Sequence, residues 1–325
     1  MFNLLHTLRA IATVLLTTAI TLASAQTEFP NKPITLLVGS APGGSNDIFA
    51  RVIGKQMQEV LGVSVVVENK PAAGGILANV LLAKAPADGY TLVVLSSTFT
   101  TGAAVRKNLQ YDAIKSFTPI AMLAKGPMLI TVGNNTSYKS LEDLVKFAKA
   151  NPGKLNYGTS GVGSINQFAS ELLAEAADIK MTHVPYKGMG PAVTDLLGGQ
   201  IDMIIASAPS LLSQVKAEKI RALAVTTVER SEVAPDIQGL KESGFPKAAV
   251  DLWWGVLAPA GTPKPVVDKL NKTINQIITS DAMKSFFVKE GASPVAMSAE
   301  AFASHLTTEL ERWKTIAQNA NIQAD

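Results

Sequence analysis

The sequence has no cysteine and only three histidines, so the residues that most often carry metals, redox chemistry and nucleophilic catalysis are nearly missing. Without cysteine there is no disulfide framework, no thiolate nucleophile and no sulfur ligand for a metal. His6 falls in an apolar N-terminal stretch, His305 in a polar C-terminal helical pattern, and only His183 stands near the end of a strand-like run. No HExxH, no GxSxG elbow and no dense Asp/His group occurs, which removes the common zinc-hydrolase and serine-hydrolase signatures. Charge of one sign is scarce as well. There are 29 Lys+Arg against 26 Asp+Glu, with no basic block and no basic stripe interleaved with aromatics, so nucleic acid is not an expected partner.

Long hydrophobic runs are also few. The apolar stretch from about Ala10 to Ala23 is shorter than the roughly 20 residues of a membrane span. It follows Arg9 and ends at Ala23-Ser24-Ala25, before Gln26, the layout of an export signal with an A-x-A cleavage site. Residues 1–25 are therefore expected to be a signal peptide. With no cysteine to carry a lipid anchor, the mature chain is expected to be soluble and free in a bacterial periplasm.

What is abundant is apolar content, 47% of 325 residues, enough for one large core or two medium ones. Strand-like and helix-like segments alternate. Ile34 to Val38 reads as a strand, and Phe49, Val52, Ile53, Met57 and Val60 then recur at one-face helical spacing. Val63 to Glu68 and Tyr90 to Leu95 read as further strands, with a helix through Leu82 between them. After Ile120 to Val132 the pattern repeats: helix Ser140 to Ala150, strand Leu155 to Gly158, and a helix with Ile165, Phe168, Ala169, Leu172 and Leu173 on one face. Met181 to Val184, a helix through Val193 to Leu197, Ile201 to Ile205 and Ile220 to Val225 follow, and helical segments close the chain. This predicts an α/β fold of two lobes, each a doubly wound sheet with flanking helices. The expected division is 26–124 for lobe 1, 125–248 for lobe 2, and 249–325 returning to lobe 1.

Two glycine-rich turns match each other, GSAPGGSND and GTSGVGS, each between a strand and a helix. A helix N-terminus offers free N–H groups and partial positive charge, and ligands in open α/β sheets sit at the carboxyl ends of strands. Neither turn carries Lys or Arg, neither contains GxGxxG, and no Gly-Lys-Ser/Thr follows, so a nucleotide site is not expected and no cofactor is implied. Backbone and hydroxyl donors without a fixed cation suit a carboxylate. Tight strand-to-helix corners alone would also explain such turns.

The segments KPITLLVGSAPGGSNDIFAR, VVVENKPAAGG, KAPADGYTL, NPGKLNYGTSGVGS, HVPYKG, LLGGQIDM, RALAVTT and WWGVLAPAGTP resemble those of the tripartite tricarboxylate transporter substrate-binding proteins, also called Bug receptors. The resemblance spans nearly the whole chain after residue 25. It implies a monomeric periplasmic-binding-protein (Venus flytrap) fold that closes on a small carboxylate and delivers it to membrane permease subunits. By position it points to Ser40, Ala41, Pro42, Gly43, Gly44, Ser45 and Asp47 in the first turn, and to Ser160, Gly161, Val162, Gly163 and Ser164 in the second. Gln167 stands where the family usually has His, Gln238-Gly239 where it has a Pro-Thr pair, and Ala41-Pro42 where it has a double proline.

Several of these residues have a plain reading too. Ser164 and Gln167 fit the capping box S-x-x-Q, and Asp47 suits the first turn of a helix. Facing a bound carboxylate, a charged Asp47 would repel it, so its carboxylate is expected to fold back onto loop N–H groups, orient a water or meet a ligand ammonium. Lys187 reads as a solvated lysine or a source of long-range attraction, and Trp253 and Trp254 as inter-lobe packing or a cleft wall. Two other functions stay open from sequence: a sensory subunit presenting the loaded form to a membrane sensor, and a hydrolase with Ser160 or Ser164 as nucleophile and His183 as base.

Overall fold

The computed structural model describes residues 29–319 and 322–323; the expected signal peptide lies outside them. Strand β1 (Ile34–Val38) is apolar on both faces and pairs in parallel with β2 (Val65–Asn69) and β3 (Thr91–Ser96), as expected of a strand covered by helices on both sides. Helices α1 (Ser45–Leu61) and α2 (Ile76–Ala83) connect these strands, and α3 (Thr98–Val105) follows β3. Phe49, Ile53 and Met57, four residues apart, bury the sheet-facing side of α1. Val60, expected on the same face, is 55% exposed, so the stripe stops one turn before the helix does.

Strand β4 (Phe117–Gly133) is 17 residues long and belongs to both halves of a ten-stranded mixed sheet. Phe117 to Pro127 pairs antiparallel with β9 (Asp251–Pro259), which also pairs antiparallel with β3. Met128 to Gly133 pairs with β7 (Met203–Ser207) and β8 (Ile220–Val225). The second half is completed by β5 (Leu155–Thr159), parallel to β7 and to β6 (Met181–Pro185). Its helices are α4 (Leu141–Ala150), α5 (Ile165–Ala177), α6 (Met189–Leu197) and α7 (Ala208–Lys216). Helices α8 (Lys264–Ile278), α9 (Asp281–Lys289) and α10 (Ala299–Asn319) end the chain, with the short β10 (Ser293–Pro294) between the last two. α8 and α10 both pack on β4, α8 also on α1, and α10 on α3.

Where the chain passes between halves, one side chain ties the segments together. The buried Thr226 donates its N–H to Met128 O (2.9 Å) and accepts the Met128 N–H on Oγ1 (3.0 Å). Its hydroxyl donates to Val250 O (2.7 Å), and Val250 N–H returns a bond to Thr226 O (2.9 Å). Three chain segments are thus pinned at one level.

Candidate carboxylate cleft

A cavity of about 80 Å³ lies between the two halves. Its wall includes the first residues of six helices: Gly44 and Ser45 of α1, Gly75 before α2, Thr98 of α3, Ile165 of α5, Gly188 and Met189 at α6, and Ser207 before α7. The topology brings them together. α1, α3, α5 and α7 each start within a few residues of the carboxyl end of a parallel strand, and α2 and α6 follow β2 and β6 by a short turn. Each brings the positive end of a helix dipole to the wall; at α5 the first-turn N–H groups of Ile165 and Gln167 are already taken by Thr98 and Ser164. Five of the six, all but α5, have no side-chain cap. Of the helices that begin elsewhere, α4 and α9 are capped by Ser140 and Ser280, while α8 starts after Pro263 without a side-chain cap. No acidic residue lines the wall, and its one charged residue is the exposed Lys187. The rest is a mixture of small hydroxyls, Asn46, Asn79 and Asn166, and apolar side chains such as Leu95, Phe99 and Leu252.

Of the thirteen residues singled out by sequence, Ser40, Gly44, Ser45 and Ser160 line the cavity, whereas Ala41, Pro42, Gly43, Asp47, Gly161, Val162, Gly163, Ser164 and Gln167 do not. Ala41 and Pro42 instead face the opposite half: a Cβ on Gly188 would lie 3.1 Å from Ala41 N, and one on Gly190 would lie 3.2 Å from Pro42 O.

Asp47 folds back, one of the three arrangements expected for it. Its carboxylate accepts from Gly43 N–H (3.1 Å), Arg51 Nε (3.1 Å) and Asn69 Nδ2 (2.9 Å), and Asn69 also donates to Ser40 O (3.1 Å). Burial on its own would raise this carboxyl; the bonds from Arg51, Gly43 and Asn69 outweigh it and hold Asp47 below the ordinary aspartate range. Asp47 therefore shapes the first turn from behind. Two atoms of that turn, Ser40 Oγ and Asn46 Oδ1, are buried with no partner among the described residues, and both residues face the cavity.

The second turn is closed on itself. Gly161 N–H donates to Thr159 Oγ1 (3.2 Å), Gly163 N–H to Gln167 Oε1 (2.8 Å) and Ser164 N–H to Gly161 O (3.2 Å). Ser164 Oγ caps Gln167 N–H at 3.4 Å, so the capping pair forms, with Gln167 reaching one residue further back than the cap itself. The turn's carbonyls meet α3 of the other half. Thr101 Oγ1 donates to Gly163 O (2.8 Å), and Arg106 Nη2 donates to Val162 O. The adjoining Ile165 N–H donates to Thr98 Oγ1 (3.3 Å).

Sequence reasoning missed Gly39, Ala72, Gly74, Gly75, Asn79, Thr98, Asn166 and Ser207 as wall residues. The PAAGG segment was visible as a motif, and its proximity to the first turn is steric: a Cβ on Gly39 would sit 2.6 Å from Gly75 Cα. Gly39 is thus the glycine that lets two backbones meet at the wall. Gly44 has an ordinary φ of −78°, and a Cβ there would meet nothing closer than 3.5 Å.

No bond joins either candidate nucleophile to the histidine. Ser160 Oγ donates to Asn166 Oδ1 (2.7 Å), and Asn166 Nδ2 donates to Ile205 O (2.8 Å). His183 Nε2 lies 2.6 Å from Thr159 Oγ1, and its ring stacks on Tyr157 at 5.0 Å; burial pushes its pKa down. Trp253 and Trp254 are buried and do not line the cavity. Gly239, at the departure from the family's Pro-Thr pair, packs where a Cβ would lie 2.5 Å from the Glu229 carbonyl carbon. Among the described residues no group of three or more His, Cys, Asp or Glu is placed to hold a metal, and no helix is long and apolar enough to cross a membrane.

Comparisons with known proteins agree on one family. Protein BugT of Bordetella pertussis is 31% identical over 318 residues, covering 97% of this chain and 98% of BugT. Among solved structures, R. palustris Rpa4515 with adipate superimposes with a TM-score of 0.89 at 33% identity, covering 91% of this chain and 99% of that one. MatC from Rhodopseudomonas palustris with bound malate gives a TM-score of 0.85 at 30% identity, covering 89% and 99%. The model of the tripartite tricarboxylate transporter family receptor, TctC, matches residues 49–322, and the chain belongs to that family.

Proposed function

We propose that this chain is a periplasmic receptor that binds a small organic carboxylate in the cleft and delivers it to the permease of a tripartite transporter. The observation that carries this reading is the convergence of six helix N-termini on a cavity wall without a single acid. Each such terminus favours an anion by about 0.3 to 1 kcal/mol within its first turn, so a few of the five uncapped ones acting together supply roughly 1 to 3 kcal/mol. The exposed Lys187 adds at most about 1 kcal/mol, so the helix termini dominate. The dicarboxylates adipate and malate carried by two structural neighbours fit the same chemistry. Residues 26–124 with 249–325 form one lobe of this receptor and 125–248 the other; a monomer closes by rotation of these lobes.

The test is a thermal-shift screen of organic acids and their neutral diamides on ligand-free protein obtained by refolding. At a hundred times Kd a bound acid stabilises the native state by about 2.7 kcal/mol. Stabilisation by neutral compounds and by no acid overturns the reading.

A further inference from the structure

Ser45 opens α1 and lines the cavity, and its hydroxyl is held from behind. Trp254 of β9, fully buried and off the cavity wall, donates its indole Nε1–H to Ser45 Oγ over 3.0 Å. The indole has no freedom to follow a ligand. It meets the Phe49 ring edge-on, with centroids 4.7 Å apart and planes at 70°, and Phe49 is in turn packed against Phe287 at 5.1 Å. An indole N–H only donates, while a serine hydroxyl has one proton and two lone pairs. With the indole N–H on one lone pair, the serine proton has to take another direction, and among the described residues the hydroxyl donates to no other group.

We propose that Trp254 is a positioning residue for ligand binding: by occupying the core-facing lone pair of Ser45, it presets the Ser45 proton toward the cavity, where it meets a carboxylate oxygen. This rests on the carboxylate reading above. It adds a residue that never touches the ligand, reached from a strand 209 positions away in the chain. A donor oriented in advance binds better because less freedom is lost on binding.

Trp254→Phe keeps an aromatic ring against Phe49 and removes the N–H donor together with one ring of a fully buried indole, so the loss due to the donor is read from the double variant, where a packing defect persists and a lost Ser45 contact does not. The acid that stabilises the wild type best, from a panel including adipate and malate, is titrated calorimetrically into wild type, Trp254→Phe, Ser45→Ala and the double variant. Trp254→Phe is expected to weaken binding about three- to tenfold, the scale of one hydrogen bond, and to have no further effect when Ser45 is already alanine. A ligand-free measurement runs beside it. The chain has three tryptophans, so the indole N–H resonance lost in Trp254→Phe identifies that of Trp254, and Ser45→Ala is expected to move it.

Unchanged affinity in Trp254→Phe, an equal loss in the Ser45→Ala background, or an unmoved indole resonance overturns the positioning role and leaves the carboxylate reading standing. If no acid of the panel binds the wild type, the carboxylate reading fails and takes this inference with it.

Discussion

The two glycine-rich turns look alike in sequence and are built for opposite ends. The first, Ser40 to Asp47, is braced from behind by Asp47, Arg51 and Asn69, and it leaves the start of α1 without a side-chain cap. The second, Ser160 to Ser164, bonds the N–H groups of Gly161, Gly163 and Ser164 internally and gives its carbonyls to Thr101 and Arg106 across the cleft. One turn leaves the helix after it without a side-chain cap; the other clasps the facing half of the molecule. Composition does not distinguish them. What does is where the nearest side-chain oxygen sits: a carboxylate behind the first turn takes a single N–H, whereas Thr159 and Gln167 take two in the second and Ser164 caps the helix that follows.

The contrast breaks most sharply at Gly39. Valine there drives Cβ into the Gly75 backbone, 2.6 Å away, and forces the starts of α1 and α2 apart. Overpacking of this kind costs about 1 to 3 kcal/mol, so the protein should fold with a lowered melting temperature and lose up to about a hundredfold in affinity. Calorimetry showing native affinity in a folded Gly39→Val protein would remove the first turn from the site.

Asp47→Asn tests the brace. It takes the anion from Arg51, whose side chain is half exposed, and should cost about 1 to 3 kcal/mol in urea unfolding together with weaker ligand binding. The pH dependence has a fixed sign. A carboxyl held below its ordinary value of 3.8 contributes stability that is present above that value and lost as pH falls through the lowered one. Wild type should therefore lose more stability than Asp47→Asn on acidification below about pH 4; parallel curves for the two proteins would mean the brace is not ionic.

Thr101→Val tests the clasp. Removing the hydroxyl that reaches Gly163 O leaves the ligand's own contacts intact, so affinity should fall by roughly three- to tenfold, mainly through faster release measured by stopped-flow. A slower association with unchanged release would place Thr101 in ligand capture instead. The smallest effect belongs to Lys187→Met. A solvated cation at the rim should change Kd by less than about fivefold, with the difference shrinking at high salt. Loss of binding in this variant would mean that a side-chain cation, and not the helix ends, holds the anion.

Much of the fold was legible because β1, β3 and α1 carry strong apolar periods. The site was legible only in part. The start of α3 reads SSTFTTGAAV, with no helical stripe, because Thr100 and Thr101 are buried through hydrogen bonds to carbonyls and not through apolar contact. No strand is read from the sequence between Val225 and the closing helices, yet the apolar run WWGVLAP there is the central strand β9. The convergence of α2, α3, α6 and α7 on one cavity depends on strand order, which no local pattern encodes. The motif PAAGG gave the presence of a turn and not its address.

The bonds at Thr226 also decide how the two halves can move. A slide of one strand past another by one register step, about 3.3 Å, would break all four bonds that join Thr226 to Met128 and Val250. A swivel about that point stretches none of them much. In the lobe rotation proposed above, Thr226 is thus placed as the pin of a pivot, and its bonds favour a change of angle over a translation.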